Sequence, residues 1–481
     1  MTVTVGQAPF PRPAVQQWLR SQLDDVRRSG AGRLLTIRGR RQAGKSTAVE
    51  QFVDSSGLPY VYVTGLFGVP EREQLAAATE AIGASRAPLP VTAPGAPSSW
   101  RDWLTQLALS TADGPVIAVL DEFPWITGPG RTGIDGTLQA VWDRVLEKRP
   151  VMLILVGSDV AMMERLAQHD RPLFGRVREF VLPMLTPGEV AAALPQARPT
   201  EVFDAWLVTG GYPRLVIELR DAGTSMQEWV RSSFGDDFSP LVATARLTLD
   251  AEFPDAETAR RVLAAIGAAE QAHLPLGSIV DLLTDDPVSR KSVQTSVLRS
   301  LHLLTDDKRL ITADLPAWAG STRLRRYRLT DPYLRFWFRY VERYVDTIAR
   351  GRGDVAVAAF DRDWPSWRGR AVEPIVREAL ERLAISDPRL TGVETVQPWW
   401  TRDGQVEVDV VGANRERTLL LGTVKWRDRG GVTAHDMSAL AQARARVPRS
   451  SDAELIAITP SGEAPEGATS FSAGDLLTAW A

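Results

Sequence analysis

The chain has 481 residues, enough for roughly two to four domains that each bury their own core. Its 56 lysines and arginines against 59 acids leave a formal net charge of −3, which excludes a global basic field for nucleic acid; such a contact must come from a local patch. There is no cysteine, which excludes disulfides, thiolate metal sites and a cysteine nucleophile. No stretch has the uninterrupted apolar length of a membrane helix, and Met1-Thr2-Val3-Thr4-Val5 lacks the basic and apolar regions of a signal peptide, so the expectation is a cytoplasmic protein without membrane contact.

In chain order, the first half alternates short apolar runs with helical stretches, the pattern of a parallel sheet covered on both faces. Expected strands are Leu34–Arg38, Tyr60–Thr64, Val116–Leu120, Val151–Val156 and Glu179–Leu182. Ala84–Ser99, rich in Pro, Ala and Ser, reads as a loop, and Arg101–Ser110 as a helix.

Between the first strand and the helical run Ser46–Val53 stands Gly39-Arg40-Arg41-Gln42-Ala43-Gly44-Lys45-Ser46, a complete phosphate loop in the strand–loop–helix setting such a loop requires. Its glycines let several backbone N–H groups aim at one anion, and the helix N-terminus adds partial positive charge. Lys45 is expected to reach the β- and γ-phosphates of ATP and the Ser46 hydroxyl to ligate Mg²⁺; the nucleotide contacts run from Gly39 through Thr47.

Val116-Ile117-Ala118-Val119-Leu120-Asp121-Glu122 is an apolar strand ending in two acids, at the strand end where open α/β sheets bind ligands. Asp121 would hold the Mg²⁺ shell and Glu122 would polarise the attacking water; alone, the same run also reads as a buried strand ending in solvated acids. Ser158, at the end of the next strand, reads either as a group orienting water or phosphate, or as the N-cap of the segment beginning Asp159-Val160. Arg171, Arg176 and Arg178 follow, and Arg176 is the favoured arginine finger.

Pro187–Phe238 reads as helical, with a turn at Gly210-Gly211-Tyr212-Pro213. Helices at Ala259–Ala269, Ile279–Leu283 and Ser289–Leu301, then strand-like Leu303-Leu304-Thr305 and Leu310-Ile311-Thr312, suggest a winged helix-turn-helix. Arg290, Lys291 and Arg299 fall on its recognition helix, and Lys308, Arg323, Arg325, Arg326 and Arg328 in or near the wing. They serve DNA phosphates or form a solvated basic face. Asp331–Ala349 reads as an aromatic helix and Arg350–Asp354 as a turn or boundary. The remainder reads helix (Val372–Leu383), strand (Gln405–Val411), strand (Thr418–Trp426), helix (Asp436–Ala445), strand (Glu454–Thr459): a small α/β domain.

The phosphate loop, Asp121-Glu122-Phe123-Pro124-Trp125, Gly157-Ser158 and Leu173-Phe174-Gly175-Arg176 resemble archaeal-type ATPases of the AAA+/signal-transduction assemblage. The resemblance extends through Arg326–Trp337. It implies that Gly211 and Pro213 lie in a lid near the adenine. The family's aromatic–Asn/Gly–Arg–Glu start is replaced by Phe10-Pro11-Arg12-Pro13-Ala14, without the Glu. The resemblance further implies a C-terminal nuclease-like domain of PD-(D/E)XK type, with Glu373, Asp409 and Lys425 in the site positions. Thr423 stands where an acid belongs, and a neutral hydroxyl is a poor hard-cation ligand; Glu407, two residues before Asp409 on the same strand face, or Glu373 from its helix, is the compensating candidate.

The expected fold is therefore α/β: a P-loop core (1–185), a helical lid (186–250), a winged helix with its following helix (251–349) and a nuclease-like domain (350–481). The expected activity is Mg²⁺-dependent ATP hydrolysis. Its use is either DNA binding or processing, or a nucleotide-dependent switch in a protein partner or in self-association, with a degenerate nuclease-like domain.

Overall fold

The computed structural model describes residues 10–85, 87–90, 96–127, 133–166, 168–169, 171–253 and 257–481. They divide into two compact units, with the boundary between Met184 and Leu185. Part of the loop expected over 84–99 lies outside the described residues. No helix among the described residues is long and apolar enough to cross a membrane.

The first unit is built on five parallel strands, β1 (Arg33–Arg38), β2 (Tyr60–Thr64), β3 (Val116–Asp121), β4 (Val151–Gly157) and β5 (Val177–Val181), in the order β2-β3-β4-β1-β5. Every residue of β3 and β4 is buried, so these strands read as unbroken apolar runs rather than alternating ones. Successive residues serve opposite faces. Leu153 and Leu155 join one core with Trp103 and Phe123, whereas Met152 and Ile154 join another with Leu19 and Phe52. The edge strand β5 begins at Val177, two residues before the expected Glu179, because its mostly exposed residues carry little apolar signal.

The second unit opens with five helices, Pro187–Ala193, Pro199–Thr209, Pro213–Ala222, Met226–Ser233 and Pro240–Glu252. Four of them carry proline in the first turn, where its missing N–H costs nothing. Helices Glu257–Ala268, Leu276–Leu283 and Arg290–His302 follow, with a small antiparallel sheet of β6 (Leu274–Pro275), β7 (Ile311–Asp314) and β8 (Arg326–Leu329), ordered β6-β8-β7. Leu303-Leu304-Thr305 is not a strand. It extends the preceding helix in a wider turn, Leu303–Asp307, because Leu304 continues that helix's buried face. The hairpin is instead β7 against β8, and Arg326–Leu329 is its second strand.

The aromatic helix is shorter than expected. Pro332–Tyr340 starts at Asp331, whose carboxylate accepts the Leu334 N–H, and is followed by a tight turn at Glu342–Tyr344 and a short helix, Val345–Ala349.

After helices Asp354–Ala371 and Glu373–Leu383 comes a second five-stranded sheet: β9 (Thr395–Trp400), β10 (Glu407–Ala413), β11 (Thr418–Val424), β12 (Glu454–Ile458) and β13 (Thr469–Phe471). β9, β10 and β11 are antiparallel, and β12 and β13 extend the sheet in parallel. Helix Ala434–Arg444 connects β11 to β12. The sequence shows three of these strands; β9 contains Pro398 and no clean alternation, and β13 has only three residues.

This sheet and the helices at the start of the second unit share one core. Phe203 packs edge-on against Trp426 (5.4 Å) and Trp480 (6.3 Å). Buried Arg368 reaches Asp204 (3.0 Å) and Asp428 (2.7 Å).

Candidate functional site

The phosphate loop leaves the carboxyl end of β1 and enters helix Lys45–Ser55. Gln42 (φ 64°) and Gly44 (φ 84°) are both left-handed, which turns the loop tightly. Gly39 admits no side chain, since a Cβ there would lie 2.3 Å from the Leu182 carbonyl oxygen. Lys45 is buried, and its Nζ donates to the carbonyls of Gly39 and Arg40, both at 2.9 Å. Burial pushes its pKa down to about 8, against the pull of Glu122 and Asp121. Ser46 is half-buried, and Arg41, Gln42 and Thr47 are exposed.

Arg12, in the segment Phe10–Ala14 that lacks the family's Glu, is buried. Its guanidinium donates to the Ala43 carbonyl (3.4 Å) and to that of Pro183, and so braces the loop from behind. An arginine between two prolines ahead of an amphipathic helix was the available signal.

β3 ends in the acids. Asp121 is buried; one carboxylate oxygen accepts the Glu122 N–H (2.8 Å) and the other accepts the hydroxyl of Tyr62 on β2 (2.9 Å). Asp121 raises the Tyr62 hydroxyl's pKa and Ser46 lowers it, so both act on one hydroxyl. Burial, then Asp121, hold the Tyr62 hydroxyl far above its ordinary pKa, so it remains a donor. Nothing in the sequence marks Tyr62, which lies within an ordinary strand.

Glu122 sits at φ 47°, a left-handed conformation uncommon for a residue with a side chain. The turn that holds it is over-determined: Trp125 N–H donates to the Glu122 carbonyl (2.8 Å) and Gly65 N–H to the Asp121 carbonyl (2.8 Å). Its carboxylate accepts the Ser158 hydroxyl, from the end of β4, at 3.1 Å. The N-cap reading belongs to the next residue: Asp159, not Ser158, accepts the Met162 N–H (2.9 Å).

Arg176 is placed elsewhere. It makes a bidentate pair with Asp143 (2.6 and 2.9 Å) and donates to the carbonyls of Pro172 and Phe174. Arg178 binds Gln22 and Asp25. Among the described residues, no hydrogen bond or ion pair joins either arginine to the phosphate loop. Gly211 and Pro213 belong to the second unit. Gly211 (φ 70°) accepts the Leu185 N–H and leaves no room for a Cβ, while Pro213 opens a helix. The Tyr212 hydroxyl between them donates to Asp331 (2.7 Å), so the two resemblance segments of this unit meet.

In the C-terminal sheet, Asp409 and Thr423 are neighbours on β10 and β11. The Asp409 carboxylate accepts the Val424 N–H (2.8 Å) and the Thr423 hydroxyl (3.3 Å). Lys425 lies 3.4 Å from Asp436. Glu407 is exposed and paired with Arg326 (2.5 Å), and it lines the same cleft as Asp409, Thr423 and Lys425. Glu373, pushed up to about 7 by burial and then by Asp409, faces Arg377 (3.6 Å), whose guanidinium also donates to the Asp409 carbonyl (2.9 Å). Buried Arg335 adds a second cation. Arginine thus stands beside Glu373 here, and among the described residues no group of three or more His, Asp or Glu side chains could hold a metal ion.

Residues 337–439 match the family DUF234, described as archaea bacterial proteins of unknown function. An uncharacterized protein of Methanocaldococcus jannaschii is 22% identical over 316 residues, which cover 65% of this chain and 68% of the relative. Among solved structures, a Walker-type ATPase of Pyrococcus abyssi aligns with a TM-score of 0.47 at 17% identity, covering 69% of this chain and 99% of its own. The ORC2 protein of Aeropyrum pernix, with ADPNP and ADP, aligns with a TM-score of 0.48 at 18% identity, covering 75% and 98%.

Proposed function

We propose that the first unit binds ATP with Mg²⁺ and hydrolyses its γ-phosphate bond. The observation that carries this reading is the convergence of Lys45, Asp121, Glu122 and Ser158 at the carboxyl edge of one parallel sheet, around a tightly turned glycine loop. Lys45 would exchange its two carbonyl partners for phosphate oxygens. Glu122 would take the proton of the attacking water, with Ser158 fixing its carboxylate. Ser46 and Asp121 are the residues to hold Mg²⁺; a hydroxyl and a carboxylate that both act on the Tyr62 hydroxyl suit a hard cation. Bound there, Mg²⁺ would neutralise charge developing on the phosphates. Arg176 would serve as a finger only after leaving Asp143.

For the second unit we propose a helical lid over 186–250 that brings Gly211 and Pro213 to the adenine, a winged helix over 251–349 and a nuclease-like domain over 350–481, in a cytoplasmic protein. ATP binding and hydrolysis would then control DNA contact through Lys291 and Arg299, both exposed on helix Arg290–His302. Arginine beside Glu373 and Thr423 beside Asp409 favour binding over cutting at the nuclease-like site. That same observation supports the second reading, a nucleotide switch acting on a protein partner or on self-association.

Steady-state ATP hydrolysis with Mg²⁺, with and without double-stranded DNA, in wild type and Glu122→Gln, tests the proposal. Hydrolysis stimulated by DNA and lost in the variant supports the DNA-directed reading. Hydrolysis indifferent to DNA supports the switch, and no hydrolysis at all removes the enzymatic assignment.

A further inference from the structure

A cleft of about 690 Å³ opens in the second unit between the β7–β8 connection and the C-terminal sheet. Its size lies within the ~300–1,000 Å³ of ordinary ligand sites. Three tryptophans line it, Trp318, Trp399 and Trp400, together with Arg402, Arg446 and Asp403.

Trp318 is unusual in backbone and in support. Its φ is 63°, a left-handed conformation that is a genuine outlier for a bulky side chain and persists only where the surroundings impose it. Its indole N–H donates to the Thr418 hydroxyl (2.9 Å), and the Arg449 guanidinium lies 4.5 Å from the ring centroid. The ring is thus fixed in orientation while remaining partly exposed. Trp400 is held in the same way: its N–H donates to the Leu324 carbonyl (3.1 Å), and Arg326 lies 4.5 Å from its ring.

The charge at the rim is positive. Arg402 is exposed and has no side-chain hydrogen bond or ion pair among the described residues. Arg446 is exposed as well, and its charge acts on Asp403, whose carboxylate is occupied by Thr401 and by the Gln405 N–H. Arg446 also lines the neighbouring cleft that contains Asp409, Thr423 and Lys425, so the two clefts adjoin.

We propose that this cleft binds a nucleobase together with its phosphate, the base against Trp318 and the phosphate at Arg402 and Arg446. A fixed aromatic ring offers a stacking surface to any base, and exposed arginines track a backbone, which is how single-stranded nucleic acid is held without sequence readout. The site is separate from the phosphate loop and from the proposed recognition helix, and it stands whether or not the chain hydrolyses ATP. The same chemistry is offered by a single strand and by a free nucleotide.

The test is fluorescence anisotropy of a dye-labelled oligothymidylate of about ten nucleotides with the full chain at low salt, with unlabelled dTMP as competitor. Wild type is expected to bind, with affinity falling as salt rises by a log–log slope of about −0.7 per phosphate engaged. Arg402→Ala/Arg446→Ala, both at exposed positions, should weaken binding about tenfold or more and flatten that slope. Trp318→Phe should retain most of the affinity and Trp318→Ala should lose it. Lys291→Ala/Arg299→Ala should bind the oligomer as wild type does.

Displacement by dTMP at concentrations comparable to the oligomer's nucleotide content identifies a free nucleotide as the ligand, and failure of dTMP to compete identifies a strand. Absence of binding to both, or affinity unchanged in Arg402→Ala/Arg446→Ala, overturns the proposal. ATP turnover of that double variant, measured in the same preparation, separates this outcome from a failure of the ATPase assignment.

Discussion

The Tyr62 hydroxyl donates to the Asp121 carboxylate at 2.9 Å, so a tyrosine on β2 orients an acid proposed to hold the metal, and Ser46 acts on the same hydroxyl. A hydrogen bond to a charged acceptor contributes about 1.5–3 kcal/mol. Tyr62→Phe removes the hydroxyl and leaves the ring in place. The Mg²⁺ concentration for half-maximal ATP turnover should rise about three- to tenfold in this variant. An unchanged Mg²⁺ requirement would show that Tyr62 serves packing alone.

Glu122 is held at φ 47° with its carboxylate on Ser158. Glu122→Gln keeps the shape and removes the base. Nucleotide affinity should stay within about threefold of wild type while turnover falls by roughly 10²–10⁴. Ser158→Ala should cost less, about tenfold in turnover, because the carboxylate remains and only its orientation loosens. Full turnover in Glu122→Gln would move the water-polarising role to another group.

Lys45 starts from a pKa pushed down by burial to about 8, and nucleotide binding requires its charged form. Above about pH 8 the nucleotide-free protein loses this proton. Affinity for ATP should then fall, approaching tenfold per pH unit, until the bound phosphate can no longer hold the proton on. Lys45→Arg keeps its charge and should show no such fall, whatever its absolute affinity. Titration with a fluorescent ATP analogue at pH 7 and pH 9 checks this; equal wild-type affinities at both would contradict it.

Glu373 has a folded pKa of about 7 against an unfolded value of 4.5, a raised acid. Between these values the folded protein keeps a proton that the unfolded chain has released. The group's favourable contribution is therefore full below about pH 4.5 and is lost as pH rises through 7. Glu373→Gln carries no such proton, so its Tm relative to wild type should rise by a few degrees between pH 5 and pH 8, reflecting on the order of 3 kcal/mol. A Tm difference that does not vary with pH would mean that Arg377 and Arg335 keep Glu373 ionised throughout.

Arg368 is almost fully buried and bridges Asp204 and Asp428 across the core of the second unit. Removing one partner of a buried pair leaves an uncompensated charge, at a cost of about 3–5 kcal/mol. Arg368→Ala should lower the unfolding midpoint in urea accordingly. Arg368→Ala with Asp204→Ala should recover part of the loss, and a double variant as unstable as the sum of the single ones would show that the two residues are not coupled.

The phosphate loop and the run Val116–Glu122 were legible because each is continuous in sequence and its meaning rests on local rules: an apolar run, a glycine turn, a helix start. The five strands of the first sheet were legible for the same reason, except at β5, whose exposed edge carries little apolar pattern. In the second unit Leu303-Leu304-Thr305 misled, since a short apolar run serves a helix face as well as a strand.

What the sequence by itself determined is the α/β architecture and the residues of the phosphate loop and its acidic strand end. Tertiary structure alone decided which side chains meet them: Tyr62 on Asp121, 59 positions away in the chain, Ser158 on Glu122, 36 away, and Arg176 on Asp143. It alone placed Arg377 among the acids of the C-terminal sheet, and it alone set three tryptophans and two arginines around one cleft. Periodicity and turn chemistry act over a few residues and are written in order along the chain. Partners brought together by strand order and helix packing leave no local signal, because the packing that unites them exists only in the folded state.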